Sequence, residues 1–446
     1  MKIPPVKGTR DFYPEEMAVH NWIVDGWKKA SIRNGFEEYD GPIFEYLDMY
    51  KIKSGEEIVE QLFSFKDRGE RDLAIRPEIT PTLARMVNQK INALPKPIKW
   101  FSVPRLCRAE RPQKGRLREF FQWNIDIIGE DSVLADAEVI FTTVDYLRGV
   151  GLTPKDIKVK ISSRKLLAAV LKKIGVPDEK LNPLYALLDK KAKLPPEVFS
   201  NMLTEQVGSE FAKQIIAFMD KTFEEVINSF GTQIEKELDA AIGDIADCWE
   251  YLDLMGIKEY CILDLSIVRG LAYYTGIVFE VHDIQGDLRA ICGGGRYDNL
   301  LRDFGGPTVS ATGMGMGDCI LEILLREKGL LDNKIPSKSL DYFVAITNFW
   351  GWKEAVKLTA KLREQKIISN LSYQAVPPGV SIRSSLLGFP VDQSMNLSKQ
   401  LKRASEQNAK YCVIIGDEFK AGNIVVKDMA SGNQKTIPLK DFLASI

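Results

Sequence analysis

Histidine is nearly absent from this 446-residue sequence, where His20 and His282 are the whole stock. That excludes a histidine-rich metal site. Ser-His-Asp or Cys-His catalysis would rest on one of these two residues, and no Gly-x-Ser-x-Gly elbow accompanies either. His20 falls in a helical pattern and His282 follows a strand pattern, so both read as structural. The six cysteines stand singly, without a CxxC pair. This argues against a structural zinc site or a disulfide framework and fits a reducing compartment. The longest apolar runs fall well short of a membrane span. The opening MKIPPVKGTRDFYPEE lacks the apolar core of a secretory signal, so a cytoplasmic location is expected. Charge of one sign is lacking too. With 60 Lys and Arg against 61 Asp and Glu, the net charge of −1 excludes a globally basic nucleic-acid binder but leaves room for local basic patches.

The length calls for two or three domains, each with its own core. Residues 22–34 read as an amphipathic helix stopped by Gly35. Residues 98–110 and 120–129 read as two strands of a hairpin around a charged loop, 111–119, longer than a plain hairpin needs. Residues 163–254 are rich in Lys, Glu, Ala and Leu and read as an inserted helical domain. Strand signals return at 272–281 and 288–291, and a helix follows at 318–328. Residues 329–339 look like a linker. From 340 to 446 strands and helices alternate, which predicts a small α/β domain.

Within the second hairpin strand, Gln122, Asn124 and Asp126 alternate with Phe121, Trp123, Ile125 and Ile127. Period two puts the polar groups on one face, which is either an exposed sheet surface or a polar pocket. Arg108 and Glu110 alternate in the same way on the neighbouring strand. The loop between them carries Arg111, Lys114, Arg116 and Arg118 around Gly115, a solvated turn or a phosphate or RNA contact. Arg76-Pro77-Glu78-Ile79-Thr80 joins a strand-like run to a helix, so its carboxylate and hydroxyl serve a ligand amine or a helix cap. Arg269 precedes Tyr273 and Tyr274. Gly293, Gly294 and Gly295 precede Arg296, without the order of a dinucleotide fingerprint or a P-loop. Residues 313–319 read as a second glycine-spaced strand running into a helix, and neither run by itself implies more than a ligand-binding loop.

In this order the segments resemble the histidyl-tRNA synthetase family of class II aminoacyl-tRNA synthetases. Residues 76–80 are similar to its first histidine-binding signature, and residues 108–129 to its motif 2 hairpin. Residues 268–274 and 293–298 are similar to its two further histidine signatures, and the region of Pro42 resembles motif 1, a dimer-interface element. The resemblance covers essentially the whole chain. It implies an α/β protein: an α+β catalytic domain with an antiparallel sheet over 1–328, the helical insertion within it, and an anticodon-binding domain over 340–446. The implied reaction joins L-histidine to tRNA(His) through a histidyl-adenylate, with ATP as substrate, Mg²⁺ beside it, and a homodimer as the working form.

Carried over by motif, Arg269 and Arg108 are the implied catalytic pair. Glu78, Ile79, Thr80, Arg108, Gln122, Asp126, Arg269, Tyr273 and Tyr274 would bind histidine, with Asp126 and Tyr274 reading the imidazole. Arg108, Glu110, Arg116, Gly293, Gly294, Gly295 and Arg296 would bind ATP, and Arg111 and Gln113 the tRNA acceptor end. No protein metal ligand is implied. This sequence departs from the family at Asp126 (usually Glu), Ile79 (usually Gly) and Ala272 (usually Asp). The Glu-Arg pair that closes motif 3 is replaced by Cys319 and Ile320. These changes together resemble a branch found in plant organelles and some bacteria. By sequence proximity, Arg302 and Arg326 are candidates for the missing arginine. The rival reading is a non-catalytic paralogue, such as the regulatory subunit of ATP phosphoribosyltransferase. Such paralogues generally lack the anticodon-binding domain and lose motif 2 residues.

Overall fold

The computed structural model describes residues 3–54, 62–188, 190–191, 194–228, 235–267, 274–285, 288–335, 339–348, 351–373 and 396–446. The chain forms two compact units, Met1–Ile335 and Pro336–Ile446.

In the first unit, α1 (Pro14–Arg33) starts at a proline, which suits a first helical turn, and not at residue 22. It stops before Gly35, whose φ of +79° ends the helix as the sequence predicts. Strands β1 (Glu37–Glu38), β2 (Phe44–Tyr46), β3 (Ser64–Lys66) and β4 (Asp72–Ile75) follow, with α2 (Leu47–Ser54) after β2. Next come α3 (Thr80–Lys90), β5 (Ile98–Ser102), β6 (Arg105–Cys107) and β7 (Glu119–Ile128). The expected continuous strand over 98–110 is broken at 103–104, because Pro104 has no N–H to give a ladder.

After α4 (Leu134–Gly149) and β8 (Ile157–Ser163) the chain turns helical. Helices α5 (Arg164–Ile174), α6 (Asp178–Leu188), α7 (Pro196–Val207), α8 (Ser209–Met219), α9 (Phe223–Asn228) and α10 (Lys236–Leu254) run in succession. Leu166, Leu203, Ile215 and Leu252 from these helices belong to the same apolar cluster as Trp123 and Ile140. The helical segment therefore shares a core with the sheet instead of closing one of its own.

The unit ends with β9 (Cys261–Leu263), β10 (Ile277–Asp283), β11 (Cys292–Arg296), α11 (Leu300–Asp303), β12 (Ala311–Gly317) and α12 (Asp318–Glu327). Among the described residues, nine strands make one sheet in the order β1-β5-β7-β12-β11-β10-β8-β9, with β6 beside β7. Its outer pairs β1/β5 and β8/β9 are parallel and the rest antiparallel.

The strand expected over 288–291 lies a few residues later, in the glycine run itself. A Cβ on Gly294 would stand 2.1 Å from the Gly313 carbonyl oxygen, so this backbone approach admits no side chain. Gly293, Gly294 and Gly295 are thus buried strand residues, not the loop that the glycine run suggests.

One face of the sheet is apolar. Trp123, Ile125 and Ile127 of β7 join Met314 and Met316 of β12 beneath α1 and α4. Trp123 stacks on Trp27 at 6.2 Å, and its Nε1 donates to the Ser31 hydroxyl at 2.8 Å. An indole this deep needs such a partner.

Among its described residues, the second unit builds a five-stranded sheet from β13 (Leu340–Ile346), β14 (Ser369–Leu371), β15 (Ala409–Ile415), β16 (Asn423–Asp428) and β17 (Gln434–Pro438). Their order is β14-β13-β15-β16-β17, parallel around β13 and antiparallel towards β17. Helix α13 (Trp352–Glu364) packs on the face of Val344 and Val413, with α15 (Leu439–Ala444). Helix α14 (Leu397–Glu406) packs on the opposite face, against Phe343 and Cys412. This is the alternating α/β pattern legible in the sequence.

Candidate active site

The polar face of β7 lies opposite the tryptophans. Register pairs Asp126 with Gly313, Asn124 with Gly315 and Gln122 with Gly317 across β12. Gly315 and Gly313 pair in turn with Gly293 and Gly295 of β11. Side chains paired across antiparallel strands share a face, so Gln122, Asn124 and Asp126 stand over a floor of bare main chain. That floor is required. A Cβ on Gly313 would come within 2.2 Å of the Asp126 carboxylate, and one on Gly315 within 2.9 Å of the Gln122 amide. Asn124 and Asp126 are buried, so this face is not an ordinary wet sheet surface.

Asp126 accepts a hydrogen bond from the Tyr297 hydroxyl. Sequence reasoning gives Tyr297 no role, because no local pattern ties it to a residue 171 positions away. Tyr39 and Tyr297 share an apolar cluster with Leu83 and Ile128, and Tyr274 packs against it. The Tyr39 hydroxyl is raised well above its usual pKa by burial first and by the Asp126 charge next.

The segment at 76–80 joins the hairpin through main-chain links. Cys107 N–H donates to the Arg76 carbonyl at 3.0 Å, and Arg108 Nε donates to the Pro77 carbonyl at 3.1 Å. The Arg108 guanidinium lies 5.1 Å above the Phe120 ring. Arg76, buried, is bound to Asp40 at 2.6 Å and to the Arg105 carbonyl at 3.1 Å, which fixes the segment against β6. Glu78 and Thr80 are half-buried at the start of α3. Ile79 is a correction. Its side chain is fully buried among Leu83, Ile128 and Tyr297, so the side chain serves packing and only the main chain could face an amino acid.

The hairpin between β6 and β7 is longer than its strands. Arg108 N–H reaches the Arg118 carbonyl at 2.8 Å, and Gln113 and Arg116 exchange two backbone bonds of 2.9 Å around Gly115, whose φ is +72°. The charged segment is thus an extended ribbon with a tight tip. Glu110 forms an ion pair with Arg116, while Arg111 and Gln113 lie exposed near the tip. A Cβ on Gly115 would stand 2.1 Å from Ile320 Cδ1, so the tip rests on Ile320 at the start of α12. The base is tied down by the N-terminal segment. Arg118 N–H donates to the Gly8 carbonyl at 2.8 Å, and Arg10 meets the buried Asp318 at 2.5 Å. Asp318 also accepts from the Phe121 N–H at 3.1 Å.

Between ribbon, sheet and α12 lies a pocket. Arg108, Arg116, Phe120 and Gln122 line one side and Ile291, Cys292, Gly315, Cys319 and Ile320 the other. Two sequence candidates for the missing motif 3 cation stand elsewhere. Arg302 is exposed beside Asp303 at 3.3 Å, and Arg326 pairs along its own helix with Glu322 at 2.8 Å. Arg269 and Tyr273 lie outside the described residues.

Arg296 is a second correction. Strand alternation turns it to the α4 face, where it binds the Asp136 carboxylate at 2.6 Å and the Ser132 and Glu130 carbonyls at 2.8 and 3.1 Å. Both partners are almost fully buried, and burial pushes the Asp136 carboxyl up although Arg296 pulls it down. Removing one partner of such a pair leaves a lone buried charge, which costs about 3–5 kcal/mol. Arg296→Met is therefore expected to lose about that much stability in urea denaturation, while ATP affinity of the folded protein stays within twofold. A selective loss of ATP affinity would return Arg296 to the site.

His20 is buried with its ring 4.1 Å from Phe121, and burial lowers its pKa. His282 pairs with Glu280 at 2.8 Å. Neither lines the pocket.

Residues 8–317 match the family described as histidyl-tRNA synthetase, and residues 347–446 match one described as anticodon binding domain. The chloroplastic/mitochondrial histidine–tRNA ligase of Arabidopsis thaliana is 37% identical over 443 residues, 99% of this chain and 86% of that protein. The histidine–tRNA ligase of Opitutus terrae is 35% identical over 447 residues, covering 98% of this chain and 97% of the other. The crystal structure of histidyl-tRNA synthetase from Nostoc sp. PCC 7120 superposes with a TM-score of 0.80, covering 100% of this chain and 99% of that one at 22% identity.

Proposed function

The chain belongs to the histidyl-tRNA synthetase family, and from that premise we propose how its pocket joins L-histidine to tRNA(His) with ATP. The observation that carries the reading is the convergence of Arg108, Gln122 and Asp126 on one glycine-floored face. Histidine's carboxylate oxygen attacks the α-phosphorus of ATP, the bond to pyrophosphate breaks, and histidyl-adenylate forms. The tRNA 3′ end then takes the histidyl group and AMP leaves. Nothing in the first step needs a protein nucleophile. It needs fixed positive charge where negative charge grows, and an arginine already held by a carbonyl and an aromatic ring supplies it without reorganisation.

Asp126, steadied by Tyr297, accepts from one imidazole nitrogen, and Tyr274 serves the other. Glu78, Thr80 and Gln122 hold the α-amino group. Arg116 and Glu110 border the nucleotide, and Gly293, Gly294 and Gly295 form the strand beneath. Arg269 and Tyr273 keep the roles that their motif implies. Arg111 and Gln113, exposed on the ribbon, meet the acceptor end. Mg²⁺ travels with ATP as part of the substrate, held by phosphate oxygens and water. The division into 1–328, with 163–254 inserted, and 340–446 is kept as the working domain plan, with the second domain reading the anticodon.

The working form is a homodimer. Ile43, Phe44, Tyr46 and Ile52, in the region of β2 and α2, are each more than half exposed, an apolar surface that a soluble chain rarely leaves bare. No helix among the described residues is long and apolar enough to cross a membrane, and the cytoplasm is the proposed location. The non-catalytic paralogue is not favoured, since Arg108 and Gln122 are retained and a full second unit is present.

Histidine-dependent exchange of pyrophosphate into ATP, followed by charging of tRNA(His), tests the reading. Exchange is expected with histidine and not with other amino acids. No exchange at saturating histidine would overturn it.

A further inference from the structure

One charge is missing from the pocket. Where the family's motif 3 places an arginine, this chain has Ile320, whose apolar side chain seats the tip of the ribbon at Gly115. A nucleoside triphosphate carries about four negative charges, and of the arginines lining the pocket one, Arg116, is already paired with Glu110. Arg108 lines the pocket from the sheet side.

A third guanidinium reaches the same place from another element. Arg289 precedes Ala290 and Ile291, which line the pocket wall opposite the ribbon. Its Nη2 donates to the Gln113 amide oxygen, so the side chain reaches the ribbon tip beside the pocket-lining Gly115 and Arg116. Burial lowers the Arg116 pKa, and the positive charges of Arg289 and Arg108 press in the same direction. Three like charges gathered at one pocket mouth, with one carboxylate among them, repel one another until an anion joins them. The arrangement is unfavourable alone and apt for a polyphosphate.

We infer that Arg289 supplies a grip on the terminal phosphates that the apolar Ile320 cannot, entering from the β10–β11 connection instead of from α12. This rests on reading the pocket as the ATP site. A guanidinium is the suitable group, since its planar fork binds phosphate oxygens in pairs. Within the protein the Gln113 amide holds that fork, a neutral partner that a phosphate outcompetes.

The test is equilibrium binding of ATP and of AMP to the full-length protein carrying Arg289→Gln or Arg289→Lys. Binding is read without catalysis, so it stands apart from the exchange assay that judges the activity. Glutamine keeps a polar group at the ribbon tip and removes the charge. A charge-assisted contact contributes about 1.5–3 kcal/mol, which corresponds to roughly 10- to 150-fold in affinity. Arg289→Gln is expected to weaken ATP at least tenfold and AMP less than twofold, with Arg289→Lys recovering most of the loss. Unchanged ATP affinity, or equal weakening of ATP and AMP, would overturn the assignment. Absence of ATP binding in the unmodified protein would overturn it together with the reading of the pocket.

Discussion

Replacing Arg108 with alanine is expected to lower kcat/KM for histidine-dependent pyrophosphate exchange by about 10²–10³-fold, the usual cost of removing one preorganised donor to developing charge. The structure explains why the loss falls on chemistry and not on folding. The Arg108 side chain donates to the Pro77 carbonyl and lies over Phe120. A bond from a charged group contributes about 1.5–3 kcal/mol, and less at a half-buried side chain that water still reaches. A fold of this size tolerates that, so the variant is expected to melt within a few degrees of the parent. Arg108→Lys keeps the charge but loses the fork and is expected to fall between the two. Activity of Arg108→Ala within fivefold of the parent would remove Arg108 from the transition state.

Asp126→Asn is expected to raise the KM for histidine by about 10- to 100-fold and to leave the KM for ATP within a few-fold. The isostere preserves shape, and its carbonyl oxygen still accepts from Tyr297. What disappears is the charge proposed to face the imidazole, and a hydrogen bond to a charged group is worth about 1.5–3 kcal/mol. The buried setting strengthens the effect, because Asp126 is only 4% exposed and water cannot replace the lost acceptor. Steady-state exchange kinetics at varied histidine and varied ATP separate the two constants. Equal effects on both would refute the imidazole-reading role.

Much of this site is legible in the sequence because it is local. Alternation along β7 is enough to put Gln122, Asn124 and Asp126 on one face, and motif order assembles Arg76–Thr80 with the hairpin. The phase of a strand within a sheet is not local. Arg296 and Tyr297 are neighbours, yet one faces Asp136 behind the sheet and the other faces Asp126 in front, and the sequence does not say which. The triple glycine is visible, but its cause is the neighbouring strand, whose Gly313 carbonyl oxygen stands 2.1 Å from where a Cβ on Gly294 would be, and not a ligand. The pairings of Arg10 and Arg289 escape sequence reasoning for a like reason. Their partners, Asp318 and Gln113, are 308 and 176 positions away, and no short pattern couples such pairs. Ile79 misleads through the motif that carries it, since a position conferred by resemblance says nothing of where the side chain points.

The bare main-chain floor under Asp126 has a thermodynamic consequence. A surface of glycine backbone has no rotamers to freeze, so a ligand lying on it meets a wall that is already ordered. The long side chains at the pocket mouth are different, since each immobilised one costs about 0.5–1.5 kcal/mol of lost freedom. On the proposed placement of the two substrates, the ordering needed to recognise histidine is completed mainly when the protein folds, and that needed for the nucleotide mainly when ATP arrives. Binding of the amino acid will carry the smaller conformational entropy penalty of the two.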